Sequence, residues 1–409
     1  MTAVQAHAAT AELASAAEPV HVVAESEAEV RSIEPDLLKL LQRERVRTPN
    51  TDVDRFLATA RFQGGDVRPY VALWRNAGGT AAAAIVARVS RRRVVPRVGY
   101  FRVPSPRVCC LDVVFGGFLG DRSPASITAM TAHLRELLRT RAVGCVAVNH
   151  LDEEHPVAPL LRRSAGAVVE PSVRWSTTLH PDLLTRKSSK HRSALRRSEK
   201  RLGEEAGGAV RLVTFSEPAD VDAFVRGASE LASRTWQGGI GAGFGDTPQW
   251  RSLLEIEAKA GRLRAYLLMC GDTAAALQVG AVYGGRYYLE VIGYDPRFAA
   301  RSPGTILLTR AFEDLIARHV SEFDFGFGDA DYKRAYGADQ IRDVCVRIYG
   351  RGAAALTGRV IDGSALMCES IAERIASKAH SRHAAKRWAR RVVASLRRNN
   401  GPKGENARD

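Results

Sequence analysis

The sequence has no CxxC spacing, no run of about 18 apolar residues and no Gly-Lys-Ser/Thr phosphate loop. Six cysteines, Cys109, Cys110, Cys145, Cys270, Cys345 and Cys368, are scattered or simply adjacent. They read as small hydrophobes in a reducing compartment, so zinc and dithiol chemistry are not expected. Met1 to Pro19 carries no Lys or Arg and no apolar stretch, so no secretory signal is expected there. Without a membrane-spanning run, the reading is a soluble, cytoplasmic protein, at most peripheral to the inner membrane face. The histidines His191, His319, His380 and His383 have no nucleophile elbow and no ligand spacing around them. A Ser–His–Asp triad, a Cys–His pair and a metal site are therefore not predicted.

Positive charge and apolar content are present. The 409 residues carry a net charge of +15, and 45% of them are apolar. That is enough for two or three domains with cores of their own, and for partners that are anionic: a nucleotide cofactor, nucleic acid or an acidic membrane surface.

A pattern recurs along the chain. Residues 69–76 read as a strand, then Ala77-Gly78-Gly79 as a turn, then Ala81–Val89 as a strand. Leu263–Met269, Gly271-Asp272 and Leu277–Tyr283 repeat it. Arg122-Ser123-Pro124-Ala125 opens an apolar helix, and Arg301-Ser302-Pro303-Gly304 opens another 179 residues later. Strands at Ala142–Val148 and Glu322–Phe327, and final strands at Ala167–Trp175 and Val344–Tyr349, keep that register. The expected architecture is a duplicated α/β domain. Its parts are a disordered tail (1–30), a first lobe (31–178), a second lobe (179–355) and a basic helical or disordered tail (356–409). Between the lobes, Arg186–Arg201 holds eight Lys or Arg, and reads as a solvated helical face or a nucleic-acid grip.

Chemistry concentrates in the second lobe. Ser302 suits an N-cap and Pro303 a first helical position. The small first turn, Gly304 and Thr305, with Arg297 and Arg301 before it, forms a candidate pyrophosphate seat on outward backbone amides. In the preceding strand, alternation puts Tyr288, Glu290, Ile292 and Tyr294 on one face and Tyr287, Leu289, Val291 and Gly293 on the other. Glu290 is either a general base, if burial raises its pKa, or a carboxylate paired with an arginine. In Glu322–Gly328, Phe323, Phe325 and Phe327 read as one core face. Asp324, Gly326 and Gly328 read as an opened one, where a ligand can lie. Asp329, Tyr332 and Lys333 follow, either as acid–base and anion-stabilising groups or as a surface turn. The glycine run Gly238–Gly245, between Trp236 and Trp250, reads as a lid, an acceptor-binding loop or a connector.

These motifs occur in order: a basic helix, Trp236, then YYLEVIGYDP, RSPG and FDFGFGDADYKRAYG. Over about residues 175–350 the chain resembles the CelD/BcsL-type acetyltransferases, a GNAT branch associated by name with cellulose biosynthesis and related to Fem-type transferases. The resemblance implies two tandem GNAT-like domains, each a mixed, mostly antiparallel twisted sheet flanked by helices. It implies acetyl-CoA or another acyl-CoA as co-substrate, with no metal. The pyrophosphate would lie on Arg301, Ser302, Gly304 and Thr305, and the pantetheine arm along Val291, Ile292, Gly293 and Tyr294. Glu290 or Asp329 would act as base and Tyr332 as proton donor. Trp236, Gly326 and Gly328 would shape the acceptor side. Only Gly304 of the usual glycine pair is present, so the helix is better marked than the seat.

The first lobe has Ala125 where the second has Gly304, and two acids, Glu153 and Glu154, where the second has Tyr332 and Lys333. It is expected to be non-catalytic, either structural or shaping the acceptor site. The expected function is N- or O-acyl transfer to an amine or hydroxyl of a sugar, glycan precursor or small metabolite. A Fem-like transferase using aminoacyl-tRNA is the first alternative, with the basic helix gripping the RNA. A non-catalytic nucleic-acid-binding or scaffold protein is the second. The basic C-terminal tail is expected to suit an anionic membrane surface.

Overall fold

The computed structural model describes residues 20–44, 47–64, 66–94, 97–98, 101–185, 187–235, 243–336 and 339–378. The chain divides into two compact units. The first comprises Met1–Arg92, Val108–Ala167 and Val346–Gly352, and the second Arg93–Arg107, Val168–Cys345 and Ala353–Asp409.

In the first unit the chain runs β1 (Val20–Ala24), α1 (Glu27–Ser32), α2 (Glu34–Arg43), α3 (Val53–Phe62), β2 (Arg68–Arg75) and β3 (Ala81–Arg93). A short hairpin that belongs to the second unit, β4 (Arg97–Val98) and β5 (Phe101–Arg102), comes next in the chain; the first unit then continues with β6 (Arg107–Gly120), α4 (Pro124–Arg139), β7 (Cys145–Asp152) and α5 (Ala158–Arg162). The sheet order is β1-β2-β3-β6-β7. β1, β2 and β3 pair antiparallel, whereas β6 and β7 pair parallel. Period-two alternation turns Val71, Leu73, Ala84 and Val86 to one face, where Val30, Leu37, Leu40, Phe56 and Leu57 of α1 to α3 cover them.

Residues 20–30 are ordered, which corrects the expected disordered tail in that stretch. Val22 packs against the core and Ala24 is buried in it. Ser26 and Glu29 form a reciprocal capping box that fixes the start of α1. Residues 1–19 lie outside the described residues.

The second unit takes β8 (Ala167–Thr178), α6 (Ser189–Ala206), β9 (Val210–Phe215), α7 (Val221–Arg234), α8 (Pro248–Lys259), β10 (Leu263–Cys270), β11 (Thr273–Tyr283) and β12 (Arg286–Tyr294). Then follow α9 (Pro303–Ala317), β13 (Glu322–Phe327), α10 (Asp331–Tyr336), β14 (Asp339–Tyr349) and α11 (Ala353–Lys378). Its sheet runs β8-β13-β12-β11-β10-β9, with the 339–345 stretch of β14 beside β8. Only β12 and β13 pair parallel among its registered strand pairs. Leu267, Leu277 and Val279 meet α7 and α8 on one face. Tyr266, Leu268, Tyr287, Phe323 and Phe325 meet α9 on the other. Both units are mixed α/β, with mostly antiparallel sheets flanked by helices.

Unit membership departs from chain order three times: Arg93–Arg107 lies within the first half of the chain yet belongs to the second unit. Val168–Thr178 continues the first half of the chain yet belongs to the second unit, and Val346–Gly352 ends the second half yet belongs to the first. A buried ionic cluster holds the borrowed strand in the second unit. Arg174 on β8 donates to Asp324 on β13 at 3.0 Å and to Asp343 on β14 at 3.1 Å. All three side chains are buried. Removing the cation would leave two carboxylates in the core without it, which costs far more than the intact network contributes. Arg174→Met is expected to destabilise the protein by about 3–5 kcal/mol, read from the urea unfolding midpoint. A loss below about 1 kcal/mol would show that the cluster does not hold these strands.

Candidate functional site

The site begins where β12 and β13 separate. Their parallel register covers only Arg286↔Glu322, Tyr287↔Phe323 and Tyr288↔Asp324. Beyond it both strands are distorted at the same level. β12 is bulged against β11, because Val279 pairs with Val291 while Gly280 pairs with Leu289. Glu290 is the extra residue of that bulge. β13 shifts register against β8 between Asp324 and Phe327. There Gly326 takes a positive φ of 71°, and its amide donates to the Asp324 carboxylate at 2.7 Å.

The bulge corrects the simple alternation read from the sequence. Leu289 and Ile292 pack on the α9 side of the sheet, while Val291 packs on the α7 side. One inserted residue reverses the parity of everything after it. The left-handed turn at Gly326 has the same effect on the phenylalanine stripe. Phe323 and Phe325 are core, but Phe327 is 37% exposed. Asp324, expected on an open face, is instead buried with Arg174.

The helix front after β12 is partly as expected. Ser302 precedes α9 in the left-handed region, at φ 51°, and its side chain makes no capping bond. Pro303 is buried and has no N–H. The Thr305 and Ile306 amides already donate to the Ser302 carbonyl, at 3.0 and 3.2 Å. That corrects the expected fan of outward amides and leaves the Gly304 N–H at the mouth. A Cβ on Gly304 would sit 3.4 Å from Cδ1 of Tyr294, whose side chain flanks this opening. Gly293 is needed for packing, since a Cβ there would come within 2.8 Å of Thr235 Cγ2.

The two expected phosphate cations are both engaged. Arg297 donates to buried Asp295 at 2.7 Å, and Arg301 to Glu205 at 2.8 Å. Asp329 is exposed and ion-paired with Arg334. Glu290 is half-buried at the bulge. Tyr332 packs its ring against Phe325, and burial pushes its hydroxyl up to about 12, so it keeps its proton. Lys333 is buried, with its ammonium donating to the carbonyls of Gly326 and Phe327 at 3.1 and 2.6 Å. It anchors the turned end of β13 rather than facing solvent. Gly328 also has a positive φ, 81°. Trp236 and residues 238–242 of the glycine run lie outside the described residues.

A cleft of about 220 Å³ runs between α6 and α9, lined by Lys187, His191, Arg192, Arg196, Arg310 and Tyr336 among others. The Tyr336 hydroxyl lies 3.3 Å from His191 Nε2 and 3.4 Å from Thr309 Oγ1. Tyr336 was not singled out in the sequence. The signal was its place at the end of the ADYKRAY segment, one turn past Tyr332.

Burial lowers the Lys333 pKa to about 8 from an ordinary 10.5, against the opposing pull of Asp324 and Asp329. Between those two values the unfolded chain binds a proton that the folded protein does not. Stability contributed by this residue therefore rises with pH across that window. Urea midpoints at about pH 7 and about pH 10 are expected to show the wild type gaining on Lys333→Met as pH rises. Parallel pH curves for the two proteins would show that burial does not lower the Lys333 pKa.

Against known proteins, a family model described as an acetyltransferase (GNAT) domain matches residues 189–334. No curated protein matches the chain. The fold is similar to that of FemX, with a TM-score of 0.54 at 11% identity, over 80% of this chain and 97% of that one. It is also similar to the C-terminal domain of a protein described as a lysylphosphatidylglycerol synthetase from Agrobacterium fabrum. That match has a TM-score of 0.50 at 14% identity, over 85% of this chain and 96% of that one. A tandem GNAT protein from the clavulanic acid pathway aligns at a TM-score of 0.47 and 15% identity, over 82% of this chain and all of that one. Residues 189–334, the segment similar to a GNAT acetyltransferase domain, run from α6 into α10 and build the parted strands and the helix front.

Proposed function

We propose that the second unit transfers an acyl group from acyl-CoA to an amine or hydroxyl of a sugar, glycan precursor or small metabolite, as in the CelD/BcsL-type branch of the GNAT acetyltransferases. The observation that carries this reading is the parting of β12 and β13 beside an uncapped helix front. An extended pantetheine arm suits the backbone of Val291 to Tyr294, where β12 has left β13 and pairing can be completed from outside. The Gly304 amide and the positive end of the α9 dipole suit a diphosphate. Arg301 and Arg297 would reach it by exchanging their carboxylate partners. When bound, acyl-CoA would supply an activated thioester.

The chain's own residues would then handle protons. Glu290, placed by the bulge at the level of the opening, would take the acceptor's proton. Tyr332 stays protonated to about pH 12 and would donate to the leaving sulfur. Lys333 would position rather than react, by fixing the carbonyls of Gly326 and Phe327. Among the described residues no cluster of His, Cys, Asp or Glu could hold a metal ion. No helix among them is long and apolar enough to cross a membrane. The acceptor side would include Trp236.

A second reading is favoured by one observation, the α6–α9 cleft, where Lys187, Arg192, Arg196 and Arg310 outnumber Glu199 and Glu313. It suits the phosphates of an aminoacyl-tRNA in a Fem-like transfer. Thermal unfolding separates the two. Acetyl-CoA at about a hundred times its dissociation constant is expected to raise the midpoint by about 2 °C or more. Gly304→Glu should abolish that rise with the fold retained, because a Cβ at this position meets Tyr294 only at ordinary contact distance. A rise that survives Gly304→Glu would move the cofactor elsewhere. A rise with tRNA and none with any acyl-CoA would replace the first reading with the second.

A further inference from the structure

The first unit repeats the parted strands of the second. The parallel register of β6 and β7 ends at Val113↔Val148. A pocket of about 620 Å³ opens there, lined by Val113, Phe115 and Asn149 on one side and by Arg88, Ser90 and Arg92 on the other. That volume lies within the range of roughly 300–1,000 Å³ usual for small-molecule sites. β3 explains the lining. Ala84 and Val86 point into the core beneath the helices, and the same period of two then brings Arg88, Ser90 and Arg92 to that face.

The charges in this pocket do not balance: Arg88, Arg91 and Arg92 line it against Asp66 and Asp112. Arg92 is held by Asp112 through both carboxylate oxygens, with Nε at 2.9 Å from Oδ2. Arg88 has no such partner among the described residues. Its Nε is buried without a hydrogen bond, and its guanidinium lies 5.2 Å over the Phe56 ring. Burial pulls its pKa down to about 10; the Asp112 charge raises it and the nearby Arg55 charge lowers it further. A cation half withdrawn from water with no ion pair of its own is costly, and a bound anion lowers that cost.

The helix front gives the anion no rival seat in this unit. Ser123 caps α4 by accepting from the Ser126 amide at 3.2 Å, and Asp121 lies against Ser123. Both would disfavour a phosphate at that place, in contrast to the uncapped front of α9.

We propose that the first unit binds a small molecule bearing an oxyanion, a carboxylate or a phosphate, seated on Arg88 where β6 and β7 part. The Asp112–Arg92 pair forms the wall beside it and Asn149 the rim. The site stands independently of acyl transfer in the second unit.

Calorimetric titration of the full chain tests this with inorganic phosphate, glucose 6-phosphate, succinate and uncharged glucose. At least one anion should bind saturably and glucose should not; phosphates and succinate separate the two ligand sources. Affinity should fall about tenfold or more in Arg88→Met, and Arg88→Lys should restore it only in part, since it keeps the charge but loses the fork. Unliganded Arg88→Met should unfold no earlier than wild type, because it removes a half-buried cation whose Nε makes no hydrogen bond. Gly304→Glu should leave the binding unchanged. Absence of saturable binding, equal affinity in Arg88→Met, or loss of binding in Gly304→Glu would each overturn the proposal. Should Arg88→Met fail to fold, Arg88→Lys carries the affinity comparison.

Discussion

The parting of β12 and β13 is the constraint on which the rest of the second unit depends. Parallel strands hold together through evenly spaced backbone bonds, and separating them exposes polar groups that something must satisfy. Two local devices part the strands at one level. An extra residue at Glu290 turns β12, and Gly326, in a conformation that disfavours side chains, turns β13. Asp324 ties the second device to the core. Its carboxylate accepts from the Gly326 amide and from Arg174, which also holds Asp343. A buried charged network that looks purely structural therefore also sets the shape of the opening.

The two units use one plan with different chemistry at its two ends. Each places a helix after a strand that parts from its parallel neighbour. In the first unit that helix is capped by Ser123, while the pocket between the strands carries an unbalanced arginine. In the second, the helix front is uncapped, and the end of the strand is held by buried Lys333. A cap and an anion compete for the same amides, so the same tetrapeptide frame, differing at Ala125 and Gly304, supports a closed helix end in one unit and an open one in the other.

Net positive charge proved a coarse guide. Arg297 and Arg301, placed by sequence at the phosphate seat, are matched by Asp295 and Glu205. Arg88, which no motif marks, lines a pocket that also holds Asp66 and Asp112, yet makes no ion pair among the described residues. Sequence counts charges, but pairing across strands and helices decides which of them remain available to a ligand.

The sequence by itself determined the elements and their order. Alternation on β10 and β11, the Ser-Pro starts of α4 and α9 and the glycine turns are local signals, and local backbone physics reads them directly. It also marked Gly304, Glu290 and the glycines of β13 as unusual. Tertiary structure decided the rest. The bulge at Glu290 reversed the facing of Val291 and Ile292, because register depends on the neighbouring strand. Tyr336 reached His191 and Arg174 reached Asp343 only through folding, across 145 and 169 residues of chain. The assignment of Arg93–Arg107 and Val346–Gly352 to units other than those of their chain neighbours, and of Val168–Thr178 to the second unit, was not legible either. A strand's pattern records which of its faces is buried, but not whose edge it completes.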